Sequence, residues 1–360
     1  MVKTSADPMP FPPLPQEDLE HVLEHTRPLW EQLRGGRIFV TGATGFFGVW
    51  LLETFAHANS SLNLKASLVG LSRDPKAFYA KIPHLAADPS ITLHLGDVRD
   101  FQFPAGTFTH VIHAGTTSSA PVPAAEMLDT IIRGTRRTLD FAVASGAKRF
   151  LFVSSGAVYG KQPADMTHIP ETYAGAPDPM DPNSAYGEGK RVGELLCSIA
   201  HREHGLETTV ARCFAFVGPH LPLDAHFAIG NFIRDAMRGA PIRVKDGTPY
   251  RSYLYAADLA IWLWTILFRG EACRPYNVGS DQEITIADLA RTVSSVLPDR
   301  PSPQLLTPST GLLAPSTPDF NLPPSRYVPC VERARVEIGV KANISLEEAI
   351  HKTTACSSKN

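Results

Sequence analysis

Arg37-Ile38-Phe39-Val40-Thr41-Gly42-Ala43-Thr44-Gly45-Phe46-Phe47-Gly48 runs straight into Val49-Trp50-Leu51-Leu52-Glu53-Thr54-Phe55-Ala56. A short apolar run comes first, glycines punctuate the middle, and apolar positions then recur at helical spacing, so the stretch spells strand, turn and helix. In that setting Gly42, Gly45 and Gly48 permit a tight turn and close backbone approach. The free N–H groups at the helix start favour a pyrophosphate. A glycine triplet serves ordinary turns as well. The strand before it and the helix after it tilt the reading toward a dinucleotide.

A second constellation lies downstream. Ser184-Ala185-Tyr186-Gly187-Glu188-Gly189-Lys190 sets a phenol and an ammonium four residues apart, and the spacing predicts a helix from about Ala185 to His204 on which they share a face. A cation beside a phenol favours the phenolate, so Tyr186 can exchange a proton near neutral pH. An isolated Tyr-x-x-x-Lys is more often a surface pair. This one follows Arg149-Phe150-Leu151-Phe152-Val153-Ser154-Ser155, which delivers hydroxyls at a strand end, and the combination points to catalysis. His201 and His204, farther along the helix, read as solvated, and no metal site is expected.

Further apolar runs at Lys65 to Leu71, Ile91 to Leu95, Thr109 to His113, Arg149 to Val153 and Thr208 to Phe214 are separated in several places by helix-length segments. The alternation predicts an α/β fold, a doubly wound parallel sheet of the Rossmann type. Gly42, Ser72, Asp97, Ala114 with Gly115, and Ser154 with Ser155 end these strands and so line one crevice. With 360 residues, 43% of them hydrophobic, the chain can bury a large core, and a formal charge of -2 implies no pull toward nucleic acid or an anionic membrane. Five cysteines without metal-like spacing read as free thiols of a reducing compartment. Met1 to Pro15 lacks the pattern of a signal peptide, and Leu259 to Phe268 is too short to span a bilayer, so a soluble cytoplasmic protein is expected. Residues 1–34 read as an N-terminal extension, proline-rich up to Pro15 and then helical over Gln16 to Leu33. Pro301 to Pro329, rich in proline, serine and threonine, reads as a long loop.

The chain resembles the extended short-chain dehydrogenase/reductase family in its nucleotide-sugar epimerase/dehydratase branch. The resemblance rests on Thr41 to Gly48, Gly96-Asp97-Val98, His113-Ala114-Gly115, Val153 to Gly160, Pro182 to Lys190, Arg212 to Pro219, Arg251 to Asp258 and Tyr276-Asn277-Val278-Gly279. It implies a dinucleotide-binding domain over residues 35–214 and a smaller, mainly substrate-binding lobe over 215–360, some of whose segments return to the sheet. It places the cofactor on Gly42, Gly45, Phe46, Phe47, Gly48, Ser72, Arg73, Asp97, Val98, His113, Ala114, Gly115, Tyr186 and Lys190. Ser155, Tyr186 and Lys190 become the catalytic set, with Ser155 chosen over Ser154 by its spacing to Tyr159. Ser155 and Arg251 become substrate contacts, and a homodimer is implied.

The implied reaction removes hydride from a nucleotide sugar, most naturally at C4, giving a keto intermediate. Return of hydride to the opposite face makes an epimerase, the leading expectation. An NADPH-dependent ketoreductase and an atypical 4,6-dehydratase are the alternatives, and a non-catalytic regulator comes last. Dehydratases of the branch usually carry an Asp-Glu pair directly after the catalytic hydroxyl, and decarboxylases usually a Glu; Gly156 and Ala157 stand here. Elimination would then need Asp165, His168 or Glu171. Ile131 and Ala215 replace two asparagines common in the family. NAD is the expected cofactor, with NADP the alternative because the second strand ends Ser72-Arg73-Asp74.

Overall fold

A computed structural model describes residues 10–116, 122–225, 227–297, 303–305 and 325–357. The quoted stretch folds as read: β1 (Arg37–Thr41) leads through the glycine turn into a helix, Phe46–Ser61. Strands β2 (Ser67–Ser72), β3 (Ile91–Leu95), β4 (His110–His113), β5 (Arg149–Ser155) and β6 (Glu207–Cys213) follow within a residue or two of the apolar runs. A seventh strand, Pro275–Val278, carries no long apolar run and joins the edge beside β6. Across the sheet the order is Pro275–Val278, β6, β5, β4, β1, β2, β3, and every pairing is parallel.

Strand order reverses between β1 and β4. The crevice at that point, beyond the carboxyl ends of the strands, is where open parallel sheets hold ligands. Both faces of the sheet are covered, which is why its strands read as continuous apolar runs. Ile38, Val40, Ile112, Leu151 and Val153 face one core, whereas Phe39, Val111, Phe150 and Phe152 face a smaller aromatic one. Alternation of side chains along each strand makes this division.

Helices are numbered along the chain as α1 (Gln16–Thr26), α2 (Phe46–Ser61), α3 (Pro75–Lys81), α4 (Pro83–Ala86), α5 (Ala124–Ala144) and α6 (Ala185–His204). The helix expected over Gln16 to Leu33 is shorter, because Arg27–Leu33 tightens to a 3-10 helix around Pro28, which cannot donate to the α-helical ladder. This segment belongs to the main core. The Trp30 ring lies 4.6 Å from that of Trp264, the Tyr255 hydroxyl donates to Asp18 at 2.6 Å, and the Leu14 N–H donates to Glu53 at 2.8 Å.

Beyond Cys213 the chain shuttles between the sheet and a smaller lobe. Helix Ala256–Arg269, buried along almost its whole length, packs on the sheet, and Pro275–Val278 extends it. Three short strands, Ile284–Thr285, Tyr250–Arg251 and Arg326–Tyr327, make a separate sheet over the crevice side of β5. Of the proposed Pro301 to Pro329 loop, residues 303–305 and 325–329 are described, and the rest lies outside the described residues. Among the described residues no helix is long and apolar enough to cross a membrane, and none of the five cysteines is joined in a disulfide.

Candidate active site

Gly42 has φ +70° and a Cβ there would come within 2.5 Å of the Ala114 carbonyl, so only glycine brings the turn this close to the end of β4. Gly45 is exposed, and a Cβ there would meet only the Gly42 carbonyl at 3.5 Å. That leaves open backbone facing the crevice. The N–H groups of Phe46 and Phe47 precede the first helical hydrogen bond of α2, which runs from Val49 to Gly45 at 2.9 Å. The turn therefore fits the pyrophosphate of a dinucleotide, with free donors, a helix N-terminus and no side chain in the way.

The His113 side chain is turned away from the crevice. Its Nδ1 lies 2.7 Å from the Thr41 hydroxyl and its Nε2 3.1 Å from that of Thr135, while the Gly115 N–H donates to Thr41 at 3.0 Å. Burial lowers its pKa to about 3. The ring ties β1 to β4 and α5, so contact with a ligand at this strand end falls to the Ala114 and Gly115 backbone.

At the end of β2, Ser72 is buried and Arg73 exposed. Asp74 accepts from the Ala77 N–H at 3.0 Å and so caps α3 instead of turning toward a ribose. The Asp97 carboxylate is gripped by Arg99, whose Nε donates at 2.8 Å, and this holds it below the usual carboxylate range. Val98 packs beneath Gly115 and Gly134.

Strand β5 separates its two serines by alternation. The Ser154 hydroxyl donates to Glu194 at 2.6 Å, and Glu194 is paired with Arg212, also at 2.6 Å, in a network that reaches Tyr159 and Asn277. Ser155 projects instead to the crevice, close enough to the Tyr186 phenol to favour its ionised form. Tyr186 sits in the first turn of α6, as the spacing predicted, and Lys190 lies one turn on. The Lys190 ammonium is 5.9 Å from the Tyr186 ring and donates to the Val153 carbonyl at 2.7 Å. The expected depression of the phenol is not seen: burial raises Tyr186 to about 12 and lowers Lys190 to about 8. Desolvation outweighs a cation engaged with a backbone carbonyl.

A profile of the NAD dependent epimerase/dehydratase family matches residues 38–279. The chain belongs to this family. It is accordingly an NAD-dependent enzyme of the nucleotide-sugar epimerase/dehydratase group. UDP-glucuronic acid decarboxylase 3 of Arabidopsis thaliana is 34% identical over 324 residues, covering 87% of this chain and 86% of that one. UDP-glucuronic acid decarboxylase 5 of the same plant is 29% identical over 326 residues, covering 87% of each. Among solved structures, UDP-glucose 4-epimerase of Thermotoga maritima superposes with a TM-score of 0.72 at 20% identity, over 90% of this chain and 99% of that one. UDP-glucuronic acid 4-epimerase of Bacillus cereus gives the same TM-score at 18% identity, over the same shares.

In this family member the groups that could supply an additional proton are committed elsewhere. Glu171 accepts from the Asn277 N–H at 2.8 Å, His168 is held by the Asp281 carbonyl at 2.9 Å, and Asp165 is exposed. Arg251 lies in the small sheet, paired in register with Tyr327, and its guanidinium donates to the Tyr250 carbonyl at 2.7 Å. Among the described residues no carboxylate neutralises it, which leaves its charge for an anionic ligand.

One site residue escaped the sequence reading. Tyr327 stands 3.5 Å from the Ser155 hydroxyl across 172 residues of sequence, and no motif announces it. Only its pairing with the Arg251 strand brings it there.

Proposed function

We propose that the enzyme is a UDP-sugar 4-epimerase working through a transient 4-keto sugar. The observation that carries this reading is the end of β5. Ser155, Tyr186 and Lys190 converge there, while Gly156 and Ala157 provide no acid or base and Asp165, His168 and Glu171 are placed elsewhere.

NAD, held by the glycine turn after β1 and by Lys190, would supply the acceptor for the C4 hydride and the hydride that is given back. Tyr186 takes the C4 hydroxyl proton and later restores it. Ser155 donates a hydrogen bond to the developing ketone, which stabilises the charge appearing on oxygen. Lys190 holds a ribose hydroxyl of the cofactor and sets positive charge near the phenol. Arg251 pairs with the substrate diphosphate. Inversion needs no other proton carrier, because the ketone only has to present its second face; elimination of water would require one.

A second reading, UDP-glucuronic acid decarboxylation, is favoured by the 34% identical relative. Oxidation at C4 of a hexuronic acid places a ketone β to the carboxylate, and the Ser155 hydrogen bond then stabilises the enolate left when carbon dioxide departs. Separate incubations with UDP-glucose and UDP-glucuronic acid, followed by mass spectrometry and chromatography, decide the matter. A mass-neutral C4 epimer supports the first reading. Loss of carbon dioxide replaces it with the second, and loss of water refutes both. We also infer a homodimer through the outer face of α6, where Leu195 is 60% exposed, to be tested by light scattering.

A further inference from the structure

Tyr327 reaches the reaction centre from a sheet position rather than from a loose loop. Arg326 and Tyr327 pair in parallel with Tyr250 and Arg251, and the Tyr327 ring packs on Phe214 with centroids 4.6 Å apart. Its phenol oxygen stands 3.5 Å from Ser155 Oγ. A Cβ on Gly156 would lie 2.8 Å from that oxygen and 2.7 Å from the Phe214 ring. The bare turn after Ser155 and the phenol above it therefore occupy one volume between them. While Tyr327 is there, position 156 accepts no side chain.

Hydrogen-bond accounting gives the phenol a role. A serine hydroxyl has one proton and two lone pairs. The Ala157 N–H takes one lone pair at 3.1 Å. Burial raises the Tyr327 phenol, which therefore keeps its proton, and either oxygen of the pair can donate to the other. When the phenol donates, both Ser155 lone pairs are filled and the Ser155 proton is left for the crevice.

We propose that Tyr327 is a positioning residue of the redox centre: with the Ala157 N–H, it makes Ser155 a one-way donor toward Tyr186 and the sugar oxygen. The inference rests on the roles assigned above to Ser155 and Tyr186. At 3.5 Å the contact is longer than an ordinary O–H···O hydrogen bond. The fold itself does not need the oxygen. Among the described residues its hydrogen-bond partner is Ser155, and a phenylalanine would keep the packing on Phe214.

The test is Tyr327→Phe in the full-length enzyme, with cofactor reduction followed by absorbance after mixing with UDP-glucose or UDP-glucuronic acid. The groups facing the Tyr186 phenol are Lys190 from its own helix, Ser155 from β5, Cys213 from β6 and Tyr327 from the small sheet, with Arg251 beside Tyr327. Loss of the Tyr327 proton frees Ser155 to turn, so phenolate at Tyr186 loses its donor. The reduction rate should fall about tenfold, the size of one neutral hydrogen bond, with KM within about twofold and melting temperature unchanged or higher. The rising limb of the pH–rate profile should move to higher pH. Gly156→Ala, which presses on Tyr327 from below, should shift that limb the same way. A Tyr327→Phe enzyme with wild-type rate and pH profile overturns the proposal while leaving the proposed function intact. A wild-type enzyme that reduces its cofactor with neither UDP sugar overturns the proposed function and this inference with it.

Discussion

Under the proposed function Tyr186 and Ser155 work as a pair, since alternation along β5 turns one serine to the crevice and the other to Glu194. Tyr186→Phe should lower kcat by roughly two to four orders of magnitude with cofactor still bound, as expected when a general acid–base is removed. Ser155→Ala should lower kcat with little loss of stability. Ser154→Ala, which removes one donor from the partly buried Glu194–Arg212 pair, should chiefly lower the melting temperature. Steady-state kinetics beside calorimetry separates the two serines. At the ribose end, Asp74 is spent on a helix cap, so Arg73 is the charged residue left at the tip of β2. Arg73→Ala should weaken NADP binding about tenfold while NAD changes by less than about twofold, measured by titration calorimetry. The proposed catalytic residues could be picked out because their spacing is local: four residues apart on one helix, two adjacent serines on one strand. Tyr327 was not, since its place depends on a strand pairing between residues far apart in sequence.

The N-terminal segment shows how an element's importance can be hidden from periodicity. Its apolar spacing correctly announced a helix, yet said nothing of what that helix packs against. The structure sets Trp30 at zero exposure against Trp264 and Phe268, with its ring N–H donating to Thr26 at 2.9 Å. Trp30→Ala should cost about 3–5 kcal/mol in urea unfolding, the range for truncating a buried aromatic. A result below about 1 kcal/mol would mean that the segment is a detachable appendage. Strands β1, β2, β4, β5 and β6 were readable as compact runs largely buried on both faces, and the half-exposed edge strand β3 by the regular spacing of Ile91, Leu93 and Leu95. Pro275–Val278 was not, because an edge strand needs only to complete a ladder and carries proline and asparagine as readily as valine.

Across the whole molecule, two buried histidines, His110 and His113, and the half-buried His220 contribute to the response to acid. Burial, the leading cause for each, lowers His113 to about 3 and His110 and His220 to about 4. Unfolding releases them to an ordinary value of about 6.5. Because the folded values lie below the unfolded one, their stabilising contribution is complete above about pH 6.5 and is lost as pH falls toward 4. Each removes roughly 1.4 kcal/mol per pH unit over that window. Urea midpoints measured at pH 7 and pH 5 should differ sharply, and His113→Gln should flatten the difference; equal midpoints would refute the assignment.

The last strand of the sheet has a consequence for biosynthesis. Helix α1 packs against Ala256–Arg269, and β6 lacks its outer neighbour until Pro275–Val278 is made, so an N-terminal helix waits for partners more than two hundred residues downstream. A nascent chain paused before residue 275 exposes a bare strand edge, which is an invitation to self-association. Stop codons placed just before and just after Pro275–Val278 should therefore differ in aggregation on the ribosome, with the shorter product depending on chaperones and the longer one less so.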